Sequence, residues 1–185
     1  MSMEPPRLVV LDRDGVINRD SPDYIRSPAQ WIPLPGAPEA IARLGQAGYT
    51  VVVASNQSGL GRGLFDRATL EAIHDRMNAV IEAAGGKLAG IFYCPHRPEA
   101  GCDCRKPLPG LLLQIEAAFG CRLSGQPVVG DSERDLRAAQ AVNARPILVR
   151  SGNGRRTEAQ LQGWRHLEVY DDLAAVADAL CGAAT

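Results

Sequence analysis

The chain has 185 residues, 45% hydrophobic and 22% charged, a balance that excludes a disordered or membrane-embedded protein. Twenty Lys and Arg stand against 21 Asp and Glu, and a formal net charge of -1 offers no basic field for a nucleic-acid backbone, so no nucleic-acid partner is expected. No apolar run approaches the ~20 residues that would span a bilayer, and no membrane association is expected.

A chain of this length buries one substantial core, so a single domain over residues 1–185 is expected. Met1 to Arg7 carries an acidic residue and two prolines where a secretory signal needs a basic start and an apolar stretch, which predicts a cytoplasmic protein. In that compartment the five cysteines read as thiols or metal ligands rather than as a disulfide framework.

In chain order, Leu8 to Leu11 predicts a first buried strand ending at Asp12. Ser21 to Pro38 contains five prolines and reads as an irregular excursion or small hairpin flap. A helix over Ala37 to Ala47, a strand over Thr50 to Ala54, a helix over Arg67 to Ala84 and a strand over Gly90 to Tyr93 follow. The pattern continues with a helix at Gly110 to Phe119, a strand at Pro127 to Val129, a helix at Arg134 to Val142 and a strand at Pro146 to Val149. A sixth strand near Leu167 to Tyr170 and a helix at Asp172 to Leu180 complete it. Gly48, Gly85 and Gly120 stand where a left-handed residue ends a helix. Strands alternating with helices predict βαβ units and a parallel sheet covered on both faces.

In such sheets chemistry gathers beyond the carboxyl ends of the strands. The first predicted strand runs into Asp12-Arg13-Asp14-Gly15, where alternation puts both carboxylates on one side and Gly15 permits a sharp departure. The second ends in Ser55-Asn56-Gln57-Ser58-Gly59, small groups and free amides suited to a phosphate oxygen. The fourth ends in Gly130-Asp131-Ser132-Glu133-Arg134-Asp135, and Arg105-Lys106-Pro107 supplies a cation. Taken singly, each has an ordinary reading as a turn, a cap or a solvated charge. Together they provide a nucleophile, a proton donor, oxygen ligands for a hard cation and fixed positive charge, the requirements of phosphoryl transfer. Crowded carboxylates repel one another unless a cation sits among them, which predicts Mg²⁺.

Cys94-Pro95-His96 and Cys102-Asp103-Cys104 form a C-x-H-x₅-C-x-C pattern within eleven residues. Three thiolates and an imidazole make a complete tetrahedral zinc set with no open position, hence a structural site that pins a loop. Cys121, Cys181, His74 and His166 fall outside the pattern and read as ordinary thiols and as packing or surface histidines.

The four motifs resemble those of the haloacid dehalogenase (HAD) superfamily, over about Leu8 to Val149. The resemblance implies a HAD-like Rossmannoid α/β three-layer sandwich with a central parallel sheet and a minimal cap. It implies Asp12 as nucleophile and Asp14 as general acid and base. Asp131 would complete the Mg²⁺ site with the Asp12 carboxylate and the Asp14 backbone carbonyl. Ser55, Asn56 and Gln57 would bind the phosphate, Lys106 would neutralise its charge, and Asp135 would support the metal and Lys106.

The zinc loop directly before Arg105-Lys106-Pro107, with Asp12-Arg13-Asp14-Gly15-Val16-Ile17-Asn18 and Ser55 to Gly59 followed by Arg62-Gly63 and Phe65, resembles a narrower group. It is similar to the D-glycero-D-manno-heptose 1,7-bisphosphate phosphatase family and the related histidinol-phosphate phosphatases. That resemblance implies a monomeric enzyme removing the 7-phosphate of the sugar bisphosphate on the route to nucleotide-activated heptose. Arg62 and Arg105 are then expected at the second phosphate. The interval from His96 to Cys102 is short for the family, and Leu60-Gly61 and Ser132 depart from its common residues. Histidinol-phosphate phosphatase is the competing enzyme reading, with a nucleic-acid end phosphatase further off. A phosphate-receiving signalling domain would not need Asp14, and a zinc-stabilised binding module would leave the carboxylates unexplained.

Overall fold

The computed structural model describes residues 6–182, so most of the Met1 to Arg7 stretch lies outside the described residues. Aliphatic and β-branched runs form six strands: β1 (Arg7–Leu11), β2 (Tyr49–Asn56), β3 (Gly90–Cys94), β4 (Pro127–Gly130), β5 (Arg145–Val149) and β6 (Glu168–Tyr170). They make one parallel sheet in the order β3-β2-β1-β4-β5-β6. Helices α1 (Ala37–Gln46), α2 (Ser58–Gly61), α3 (Arg67–Ala83), α4 (Gly110–Phe119), α5 (Glu133–Ala141), α6 (Gly154–Gln160) and α7 (Leu173–Gly182) connect or follow the strands.

Alternation along β1 divides the core. Val9 and Leu11 face a layer containing Ile41 and Leu44 of α1, Ile73 and Met77 of α3, and Val176 and Leu180 of α7. Leu8 and Val10 face the opposite layer, with Leu111 and Ile115 of α4 and Ala138 and Ala139 of α5. Leu8, Val9, Val10 and Leu11 are all fully buried. Helix layers on both faces of a parallel sheet make the three-layer α/β sandwich expected from the alternation.

The excursion between β1 and α1 is irregular, with a 3-10 turn at Pro28–Gln30 and bridges that pair Asn18 with Asp14 and with Pro33. Val16, Ile17, Ile25 and Trp31 bury their side chains in the first core layer, which fixes this flap over the carboxyl end of the sheet. Ala37 and Pro38, shared between this stretch and the helix expected from Ala37, begin α1, because proline in a helix's first turn loses no hydrogen bond and brings its own φ. Helices α2 and α6 were not expected. The first is four residues with two glycines, and the second buries only Gly154 and Thr157, so neither carries a legible apolar period.

Candidate active site

The strand order reverses between β1 and β4, where an open α/β sheet leaves a crevice at its carboxyl edge. A cavity of about 240 Å³ opens there, lined by Asp12, Asp14, Gln57, Lys106 and Asp131 among others. The Asp12 amide donates to the Val129 carbonyl at 2.9 Å, extending the β1–β4 ladder one residue beyond the strand. Gly15 then turns the chain at φ 84°, and a Cβ there would sit 2.1 Å from Asp131 Oδ2, so only glycine allows this approach.

Asp12, Asp131 and Asp135 place carboxylate oxygens within 4.8 Å of one another. Lys106 Nζ lies among them, 3.0 Å from Asp12 Oδ1 and 2.6 Å from Asp135 Oδ1. The other Asp135 oxygen accepts from the Ser132 amide at 3.1 Å and hydroxyl at 2.6 Å in a capping box that begins α5. Both Asp135 oxygens are thus engaged. Asp131 Oδ2 accepts from the Asn153 amide at 2.8 Å and Nδ2 at 3.2 Å, and the same Nδ2 reaches Asp20 of the flap at 2.8 Å.

The Asp14 carboxylate turns away from that cluster. Oδ1 accepts from Arg13 at 2.9 Å and Asn18 Nδ2 at 2.8 Å, and Oδ2 from Arg13 at 3.0 Å and Gln57 Nε2 at 3.0 Å. The side chain is still 22% exposed toward the cavity while Arg13 is 1% exposed, so a buried guanidinium sets the direction of a reachable carboxylate. Gln57 Nε2 also donates to Ser55 Oγ at 2.8 Å. Ser55 is buried behind the cavity lining, and it meets the site through Gln57. The Asn56 side-chain amide is closed at both ends on the Lys106 backbone, at 3.0 Å each, which steers Lys106 toward Asp12.

Burial pushes Asp12 well above the usual carboxylate range; Lys106 opposes this, and Asp135, Asp131 and Asp14 add to it. Burial, followed by Asp135, pushes Asp131 up to about 7. Burial works against the Lys106 ammonium, yet Asp12 and Asp135 outweigh it and hold its pKa above the usual value. A lone Lys106 leaves the cluster short of positive charge. A divalent cation on the Asp12 and Asp131 oxygens would offset the repulsion among the carboxylates and favour the ionised form of each.

The second cluster lies beside this one. Cys94 Sγ is 3.1 Å from Cys104 Sγ and 3.7 Å from Cys102 Sγ, and His96 Nδ1 is 3.5 Å from Cys94 Sγ and 3.3 Å from Cys104 Sγ. Zinc bonds of ~2.3 Å to sulfur and ~2.0 Å to nitrogen at tetrahedral angles require ligand separations of this order. Burial and the neighbouring thiols push Cys104 up to about 12, a crowding that a cation relieves. The residues fit the metal.

Arg62 is not part of the active-site cavity. It lies beside the loop of the Cys and His cluster with Leu60, Pro95 and Arg97, its Nη2 4.0 Å from Glu99. The short helix α2 carries it away from the pocket. Arg105 does line the cavity, as do four residues that sequence reasoning gave no role, Asp20, Tyr24, Arg134 and Asn153. Asn153 was within reach of the strand-end rule, because it closes the loop after β5; Arg134 carried no signal beyond standing next to Asp135. His74 is buried and tilted against Tyr93, with ring centroids 5.7 Å apart, in a packing role.

A family model described as HAD-hydrolase-like matches residues 103–176, and one described as polynucleotide kinase 3 phosphatase matches residues 8–132. With the sheet and its acidic crevice, these matches define a phosphoric monoester hydrolase of the HAD class. The chain is 54% identical to D-glycero-β-D-manno-heptose-1,7-bisphosphate 7-phosphatase of Bordetella bronchiseptica, covering 94% of this chain and 97% of that protein. It is 55% identical to the protein of the same name from Pseudomonas aeruginosa, with the same coverage. The chain therefore belongs to the D-glycero-β-D-manno-heptose-1,7-bisphosphate 7-phosphatase family. The crystal structure of the B. bronchiseptica D,D-heptose 1,7-bisphosphate phosphatase with magnesium and phosphate superposes with a TM-score of 0.93 at 53% identity, covering 96% of this chain and 99% of that one.

Proposed function

We propose that the chain, acting as one domain over residues 1–185, removes the 7-phosphate of D-glycero-D-manno-heptose 1,7-bisphosphate through an aspartyl-phosphate at Asp12. The observation that carries the reading is the set of Asp12, Lys106 and Asp131 at the sheet's switch point, in a chain more than half identical to enzymes named for this reaction. An Asp12 oxygen attacks phosphorus while Asp14 protonates the departing sugar oxygen. Asp14, then a base, takes a proton from water as it attacks the acyl phosphate, releasing inorganic phosphate and restoring Asp12. Lys106 balances charge on the phosphoryl oxygens, Asn56 and Asp135 hold it in place, and Ser55 orients Gln57 at the pocket wall.

Magnesium would be held by the Asp12 and Asp131 carboxylates and the Asp14 backbone carbonyl, and when bound it supplies positive charge to the transferring phosphoryl group. Asp131 keeps Oδ1 available because Asn153 occupies Oδ2. The pocket is lined by this chain's own residues, which supports a monomer, and a highly charged sugar bisphosphate that does not cross membranes supports a cytoplasmic location. No helix among the described residues is long and apolar enough to cross a membrane.

The test of substrate is a comparison of kcat/KM for heptose 1,7-bisphosphate, fructose 1,6-bisphosphate and histidinol phosphate at fixed Mg²⁺. The heptose bisphosphate should be preferred, and preference for histidinol phosphate would remove the assignment.

Zinc on Cys94, His96, Cys102 and Cys104 would fasten the loop that leads into Lys106. Elemental analysis of the purified protein should find about one zinc per chain. Cys102→Ser should lower both that content and the melting temperature, because binding free energy at a structural site is folding free energy. A metal-free protein that melts at the same temperature as the zinc-loaded wild type would contradict this reading.

A further inference from the structure

The loop between β5 and α6 closes on Asp131 with backbone rather than side chain. Gly152 has φ 57°, and a Cβ on it would stand 2.4 Å from Asp131 Oδ2 and 2.5 Å from Gly15 Cα, so only glycine fits between that carboxylate and the turn after Asp14. Ser151 Oγ donates to the Gly15 carbonyl at 2.8 Å, and Thr157 Oγ1 of α6 donates to the Asp131 carbonyl at 2.7 Å. These contacts bring the next residue of the loop, Asn153, against the Asp131 carboxylate.

Asn153 stands at the N-cap of α6, the usual place for a capping side chain, yet its side chain makes no cap hydrogen bond. It reaches three other elements instead. Nδ2 donates to Asp131 Oδ2 at 3.2 Å and to Asp20 Oδ2 of the flap at 2.8 Å, and Oδ1 accepts from Arg156 Nη2 at 3.0 Å. Two carboxylates on the nitrogen side and a guanidinium on the oxygen side fix the direction of the amide, because a flipped group would set its oxygen against both carboxylates. Asp20 is held in turn, its Oδ1 accepting from the Ser21 amide at 2.8 Å. Among the described residues, Asn153 is the one group outside the flap that hydrogen-bonds Asp20.

Resting on the reading of Asp131 as a magnesium ligand, we propose that Asn153 and Asp20 are positioning residues, a relay from the flap that orients the Asp131 carboxylate and sets the protein's affinity for Mg²⁺. A carboxylate turns about its own Cβ–Cγ bond, and a hard cation is held well only by oxygens already in place. The Asn153 backbone amide at 2.8 Å and its Nδ2 at 3.2 Å both hold Oδ2, which stops that rotation and leaves Oδ1 for the cation. Asp20 aims the Nδ2 group, so the seat of the flap reaches the end of β4 through a single amide. Removing the Asn153 side chain leaves its backbone donor in place, and the expected loss is therefore partial.

The experiment is calorimetric titration of Mg²⁺ into the protein freed of that ion, which needs no turnover. It compares the wild type, Asn153→Ala, Asp20→Ala, Asp20→Asn and the double variant Asp20→Ala with Asn153→Ala. The Kd for Mg²⁺ should rise about 10-fold in Asn153→Ala and about 3- to 10-fold in Asp20→Ala, the lower end of what the loss of such supporting contacts costs a metal site. The double variant should bind no more weakly than Asn153→Ala, because both residues act along one path. Asp20→Asn keeps an acceptor oxygen for Asn153 without the charge, and should stay within about twofold of wild type. A Kd within about twofold of wild type in Asn153→Ala overturns the inference. Additive losses in the double variant, or an Asp20→Asn as weak as Asp20→Ala, would show Asp20 acting on the cation by charge alone and overturn the relay. A wild type with no affinity for Mg²⁺ would remove the metal site itself, and the relay with it.

Discussion

Asp12→Asn should abolish turnover, with kcat lowered on the order of 10⁴-fold or more, because an amide oxygen is not a competent nucleophile toward phosphorus. The substitution keeps the shape of the side chain, and Lys106 keeps Asp135 at 2.6 Å, so the fold should survive. Stability gives an independent reading with a definite sign. Burial raises the Asp12 pKa above its unfolded value, so ionising Asp12 costs stability once the pH exceeds the unfolded value, and the cost grows until the folded value is passed. A neutral Asn removes that cost. The metal-free variant should melt higher than the metal-free wild type near neutral pH, and the gap should close as the pH falls below 4. Calorimetry across pH, alongside phosphate release, separates a dead catalyst from a damaged fold; near-native turnover would refute the mechanism.

Asp14→Asn should lower kcat by about 10²- to 10⁴-fold, the usual range for a general acid and base. Arg13, Asn18 and Gln57 hold the position, so an isosteric Asn should stay in place. The loss should depend on the leaving group. A sugar alcohol needs the proton from Asp14 as it departs, whereas an acidic phenol does not, so the first chemical step on an activated aryl phosphate should be nearly spared. Release of the phosphate from Asp12 still requires a base. A burst of phenol followed by slow turnover is therefore expected in rapid-quench measurements, and equal losses on both substrates without a burst would place Asp14 outside proton transfer.

The sheet was legible because each buried strand is a short aliphatic run, and β1 alternates so cleanly that Val9 and Leu11 go to one layer and Leu8 and Val10 to the other. Asp12 and Asp131 were legible because strand ends in an open α/β sheet are where ligands bind, and Lys106 as the cation such a cluster of carboxylates needs. The cluster of Cys94, His96, Cys102 and Cys104 was visible from spacing alone, since its four residues occupy one short stretch of chain. What escaped the sequence depends on directions that only packing settles. Asn56 points at the Lys106 backbone and Ser55 lies behind Gln57, so both meet the site through a neighbour. Arg62 followed an unforeseen turn of helix out of the pocket, and Arg134 faces the mouth because Asp135 beside it faces the floor. The flap brings Asp20 and Tyr24 over the site from a proline-rich stretch with no period to read.

The central claim, that the chain removes one particular phosphate from a heptose bisphosphate, is tested most directly by phosphorus NMR of heptose 1,7-bisphosphate incubated with the Mg²⁺-loaded protein. The resonance of the 7-phosphate should disappear as inorganic phosphate grows in equal amount, while the 1-phosphate persists in the product. Disappearance of the 1-phosphate first, or an unchanged spectrum from a protein that still hydrolyses an aryl phosphate, would contradict it.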